Sequence, residues 1–383
     1  MATRPILRTI QVGAHTLKNC VGMAALTRNR APSTYPTDLM KEYYVQRTNA
    51  ALIVSEGILI TRQGTEWPNA PGIWDEKHIA GWKNIVAGVH EAGSKIYAQL
   101  WHLRRAAHPD APEQKLAGVP VYAPSAIAAR GGKSSSLENR AGVPVDEIDL
   151  SKPTAVEDPW TIVAQFKQAA LNAKQAGFDE VELHGAGGYL VNQFLDSGSN
   201  KRTDQWGGNV ENRSSFGLEV LKALTEVFGR GVGAKLVPGG GFGDVGMPLQ
   251  ETLETYSYFI SEADKPNLAY ICLMRYGPKM DFEYEAGVPR ATKHDVVASY
   301  RHLIKNAKAF VNVDVTPEEG DQLISESKAD AIFIGFDWVT HSDLVKRIKD
   351  GKPFDNAPAF HLLQAGQDED WSKGYTDYPP ASY

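Results

Sequence analysis

Short apolar runs alternate with longer amphipathic stretches along the whole of this chain. Eight runs read as strands: residues 20–26, 51–55, 95–101, 180–184, 233–238, 268–273, 310–313 and 331–335. Residues 37–48, 77–92, 159–176, 213–227, 249–263, 293–308, 317–327 and 342–349 space their apolar positions as helices do. Helix-start chemistry marks two of them. Thr316, Pro317, Glu318 and Glu319 supply a cap, a proline in the first turn and acidic residues behind it; Asp158 and Pro159 repeat the first half of that pattern. Strand–helix alternation predicts a parallel sheet. Eight units predict a closed (β/α)8 TIM barrel, with an open doubly wound sheet as the competing architecture. Residues 1–383 read as one domain. Residues 103–158, rich in Pro, Gly, Ala and Ser, are too long for a plain connection and predict a cap or lid after the third strand.

Composition narrows the function classes. Apolar residues make up 42% of the 383, enough for a large core, and charged residues 22%. A net charge of −6 argues against nucleic-acid binding, which needs a basic footprint. No run approaches the roughly 20 apolar residues of a membrane span. The first residues lack the continuous apolar core of a signal peptide. Two cysteines, Cys20 and Cys272, do not make a disulfide framework. These features predict a cytoplasmic protein, monomer or homodimer, acting on a small molecule.

In such a barrel the chemistry lies at the C-terminal ends of the strands. The fourth strand offers His184 and, five residues on, Tyr189. A phenol can hand over a proton and a neutral imidazole can polarise a carbonyl, so the two make a compact acid/base pair. The bland alternative is a buried histidine beside a packing tyrosine. The third strand offers Gln99, Trp101 and His102, suited to a planar heterocycle and an aromatic wall, or else alternate in–out barrel residues. Lys235 ends the fifth strand, and Asn312, Asp314 and Phe336 lie at the last two. The glycine-rich residues 238–246 fit neither a phosphate loop nor a dinucleotide turn and predict a mobile loop. No zinc signature or nucleophile elbow occurs.

The segment VELHGAGGYLVNQFLDSGSNKRTDQWGGNVENR, residues 181–213, closely resembles the signature of the old yellow enzyme family, flavin-dependent reductases of activated alkenes. Other landmarks follow in order: AALTRNR at 24–30, SEG at 55–57, NAPGIW at 69–74, QLWH at 99–102 and GYTDYP at 374–379, the last like the fungal and plant branch. The resemblance implies that Thr27, Gly57, Gln99, His184, Lys235 and Gly335 would contact FMN if it binds, with NADPH as reductant. It implies Tyr189 as proton donor, and Thr27, Trp101, Arg104 and Tyr375 near the substrate. The chain also departs from the family. Gly187 replaces the second Asn or His of the substrate pair, Lys235 an arginine, and Arg104 a glycine. Where the flavin phosphate would sit, Val313-Asp314 replaces a glycine-containing turn and Phe336 an arginine.

That pattern favours an enzyme that has dropped FMN and uses Tyr189, His184 and Lys235 for acid/base work. Isomerisation or cyclisation of an unsaturated carbonyl compound in natural-product biosynthesis would suit it. The alternatives are an FMN- and NADPH-dependent ene-reductase and a non-catalytic binding protein.

Overall fold

The computed structural model describes residues 4–65, 67–103, 105, 107, 111–130, 152–281, 288–364 and 370–383. Eight parallel strands close into a barrel: β1 (Val21–Met23), β2 (Ile53–Val54), β3 (Ile96–Trp101), β4 (Glu180–Gly185), β5 (Val232–Leu236), β6 (Tyr270–Met274), β7 (Lys308–Asn312) and β8 (Ala331–Ile334). Each pairs with the next, and β8 pairs back onto β1, with Phe333 opposite Gly22. The open-sheet alternative is therefore excluded. All eight predicted helices form: α1 (Asp38–Gln46), α2 (Glu76–Glu91), α3 (Pro159–Ala176), α4 (Val210–Phe228), α5 (Leu249–Asp264), α6 (Val296–Tyr300), α7 (Pro317–Ser325) and α8 (Leu344–Asp350).

The strands are buried on both faces, as a helix-covered parallel sheet must be. Their outward apolar residues and the helices make one core. Inside the barrel lies a second core, in which Tyr97, Tyr270, Phe310 and Phe333 touch ring to ring at 4.7–6.1 Å. Gly233 makes room for this layer, since a Cβ there would stand 2.3 Å from the Tyr270 ring. A hairpin of Ile10–Val12 and His15–Leu17 adds Val12 and Leu17 to the inner core.

Caps fix the helix starts. Thr316 accepts from Glu319 N–H at 3.2 Å, and Asp158 from Trp160 N–H at 3.0 Å. The expected helix at 293–308 is cut to five residues and a single 3-10 turn, Arg301–Leu303. Asp264, at the end of α5, accepts from the backbone N–H groups of Lys305, Asn306 and Ala307 at 2.9–3.1 Å and so pulls that segment straight.

The predicted mobile loop, residues 238–246, is pinned. Asp244 is buried and pairs with Arg105, Arg130 and Arg290 at 3.0, 2.8 and 3.1 Å. Of the expected cap, residues 104, 106, 108–110 and 131–151 lie outside the described residues. The rest contains a helix, Pro112–Ala117, and a parallel pairing of Tyr122–Ala123 with Thr154–Ala155. No helix among the described residues is long and apolar enough to cross a membrane.

Candidate active site

The C-terminal mouth of the barrel holds a cavity of about 460 Å³. β4 brings His184 to it. The chain then turns into a short helix, Leu190–Leu195, with Tyr189 at its N-cap. Gly187 sits in that turn at φ +63°, and a Cβ there would stand 2.8 Å from the Tyr189 ring. Glycine at 187 is what lets the phenol fold back over His184. The two rings lie edge to face at 4.7 Å, and Trp101 makes a second edge contact with Tyr189 at 4.8 Å.

His184 Nδ1 accepts from Ala186 N–H at 3.4 Å, which leaves Nε2 as the protonated nitrogen of a neutral ring. Burial, reinforced by the Lys235 ammonium, holds this imidazole well below its ordinary pKa. Lys235 is in register with His184 on β5 and lines the cavity while only 7% exposed. Its ammonium has no hydrogen-bond or ion-pair partner among the described residues. Glu182, also on β4, accepts from Gln99 Nε2 at 2.6 Å and from the Tyr270 hydroxyl at 2.7 Å. Burial raises the Glu182 pKa against the opposing pull of Lys235.

The opposite wall comes from the ends of β7 and β8. Val313 and Asp314 turn the chain with φ of +79° and +50°. Arg275 holds this turn, donating to Val313 O at 3.2 Å and to Asp314 O at 2.8 Å while pairing with Glu319. After β8, Gly335 leads into a five-residue helix, Phe336–Thr340. Phe336 is 44% exposed and meets the Phe360 ring at 5.9 Å, edge to face. Asp337 follows, its carboxyl pushed up by burial.

The structure thus brings Thr27, His184, Tyr189, Lys235 and Gly335 to one cavity. It keeps four other expected residues away from the cavity lining. Trp101 is buried behind Tyr189, and Gly57 packs on the Trp101 ring, which would meet a Cβ at 2.2 Å. Gln99 is spent on Glu182. Tyr375 is fully buried, stacked on Tyr43 at 4.1 Å beneath the guanidiniums of Arg28 and Arg30, so it is a packing residue and not a substrate contact. Arg104 lies outside the described residues. Asp337, Phe360 and Trp67 line the cavity and escaped the sequence reading. Asp337 was reachable as the neighbour of Phe336; Phe360 opens a single 3-10 turn, Phe360–Leu362, beyond α8 and carries no local signal.

A parallel barrel with a tyrosine–histidine–lysine cluster at its C-terminal mouth defines the class of molecule. The chain belongs to the NADH:flavin oxidoreductase / NADH oxidase family, whose model matches residues 5–355, and within it to the old yellow enzymes that its signature resembles. It is 31% identical to the "Probable flavin mononucleotide-dependent alkene reductase" of Leishmania infantum, over 98% of this chain and 97% of that one. It is 32% identical to the "Probable inactive reductase easA" of Epichloe festucae var. lolii, over 99% and 96%. Among solved structures, morphinone reductase superposes with a TM-score of 0.84 at 33% identity, covering 99% of this chain and 97% of that one.

Proposed function

We propose that this old-yellow-enzyme barrel is an acid/base enzyme that rearranges an unsaturated carbonyl compound without a flavin. One observation carries the reading. The wall where a flavin phosphate would need cations and N–H donors is lined instead by Asp314, Phe336 and Asp337. Among the described residues the cavity's ammonium groups are Lys235, on the other side, and Lys279, exposed at the rim. A phosphate dianion there would meet two carboxylates. Each missing charge-assisted hydrogen bond costs roughly 1.5–3 kcal/mol. FMN does not fit this donor set. The relative whose name calls it an inactive reductase is compatible with loss of reduction on this fold.

The residues on the other side have the chemistry for proton movement. The Nε2–H of His184 donates to the substrate carbonyl oxygen. The Lys235 ammonium stabilises the charge that gathers on that oxygen as an enol or enolate forms. The Tyr189 oxygen, as phenolate, takes a proton from the carbon next to the carbonyl, and the phenol so formed returns it to the far carbon of the dienolate. A double bond moves or a ring closes, and no electrons are gained or lost. Arg105 and Arg130, from the segment after β3, are tied to Asp244 on the loop after β5.

The second reading, an FMN-dependent ene-reductase, has the family's chemistry and the persistence of Thr27, His184 and Tyr189 in its favour. Two measurements separate them. FMN titration followed by flavin fluorescence should give a dissociation constant weaker than micromolar, and Asp314→Gly with Phe336→Arg should tighten it. Conversion of 3-cyclohexenone to 2-cyclohexenone should proceed without FMN or NADPH. Micromolar or tighter FMN binding with NADPH-dependent alkene reduction would replace this reading with the second.

A further inference from the structure

We propose that the wall carrying Asp314 and Asp337 is a subsite for a protonated amine, so that the substrate is an unsaturated carbonyl compound with a basic nitrogen at its far end. The inference rests on the acid/base reading above and extends it to the class of substrate.

The cavity is electrically lopsided. The strand order puts β4 opposite β8 across the barrel. From interstrand spacing and tilt, their backbones are roughly 15 Å apart. On the β4–β5 side, Lys235 presents a cation that is more than nine-tenths buried and has no hydrogen-bond or ion-pair partner among the described residues. Glu182, the carboxyl that feels its pull, is already held by Gln99 and Tyr270, and the cavity side of the ammonium calls for an oxygen of the ligand. Asp314, after β7, and Asp337, after β8, lie on the side of the mouth toward β8, and neither carboxylate has a hydrogen-bond or ion-pair partner among the described residues. Phe336 and Phe360 stand in the same wall. Aromatic faces with carboxylates beside them attract an ammonium group and disfavour an anion. Lys279, in the cavity lining, is exposed and forms no ion pair with either aspartate among the described residues, and Arg275, which holds the Asp314 carbonyl, is paired with Glu319. A ligand with a carbonyl at one end and an ammonium at the other would satisfy both walls together. A neutral ligand would leave the half-buried Asp337 desolvated without compensation.

The test uses two probes of one shape. One is 4-[4-(dimethylaminomethyl)phenyl]but-3-en-2-one, protonated at pH 7; the other carries an isobutyl group in place of the amine. Calorimetric titration of the full chain at low salt should find the amine bound at least about tenfold tighter. In Asp314→Asn/Asp337→Asn, an isosteric pair of changes at side chains not buried in the core, the two affinities should converge. Equal affinities in the wild type, no binding of the amine, or a preference that survives the double substitution would each overturn the subsite. FMN titration of the same samples keeps the two proposals apart. Tight FMN binding defeats the flavin-independent reading. Equal probe affinities without FMN binding defeat the amine subsite alone.

Discussion

Val313 is a β-branched residue held at φ +79°, in a region of backbone space that L-residues enter at a cost of about 1–2 kcal/mol. The turn has kept a glycine's backbone without the glycine, and the grip of Arg275 on the Val313 and Asp314 carbonyls accounts for its persistence. Alanine normally outranks glycine in stability. At this position the order should reverse, with Val313→Gly more stable than Val313→Ala by about 1 kcal/mol in chemical denaturation. If alanine wins, the left-handed turn is not there. Across the cavity, Tyr189→Phe deletes a hydroxyl and leaves the ring contacts with His184 and Trp101 in place. Turnover of a ketone isomerisation substrate should fall roughly 10²–10⁴-fold while the thermal midpoint holds. Unchanged turnover would remove the phenol from the proton path.

Among the elements, the loop after β5 gathers three arginines onto one of its own carboxylates, Asp244. Removing Asp244 would leave Arg105, 3% exposed, without its counter-charge. Asp244→Ala should therefore cost about 3–5 kcal/mol and open residues 238–246 to proteolysis. A loss under 1 kcal/mol would show that the three arginines are solvated in practice. The same loop shows what the sequence conceals. Its glycines read as mobility because the partners that immobilise it lie 44–139 residues away. Wherever structure follows from neighbours in the chain, it was legible: α3 begins at its Asp158 cap and proline and ends at Gly177 in the left-handed region, as its residues prescribe. Where a distant side chain intervenes, as Asp264 does at 305–307, the pattern misled. The site divides the same way. His184 and Tyr189 sit on one strand–turn–helix segment and were legible as a pair. The burial of Tyr375 depends on arginines more than 300 residues earlier and was not.

At the scale of the whole molecule, buried ionisable groups pull stability in opposite directions with pH. Burial lowers His78 and His102 to about 4, so they favour the fold above pH 6.5 and withdraw that support as pH falls toward 4. Burial raises Glu56 and Glu180 to about 7, so they favour the fold below 4.5 and withdraw support as pH rises through 7. Between 4.5 and 6.5 the two sets oppose each other. Glu180→Gln keeps the neutral shape and removes one of the terms that declines with pH. Relative to wild type, its urea midpoint should be higher at pH 8 than at pH 5; parallel curves would mean that Glu180 is ionised throughout. The buried arginines near the first strand have a different reach. Arg28 donates to the carbonyls of Leu363 and Gly374 at 2.6 Å each, Arg30 to Trp371 O at 2.8 Å, and Arg47 to Tyr375 O at 3.3 Å. During synthesis these guanidiniums leave the ribosome more than 300 residues before their acceptors exist. At roughly 5–20 residues per second, the first βα unit waits about 15–60 seconds with bare cations at its heart. The barrel therefore cannot lock strand by strand as it emerges. Its earliest unit is finished last, and a nascent chain of this protein should lean on chaperones until its tail arrives.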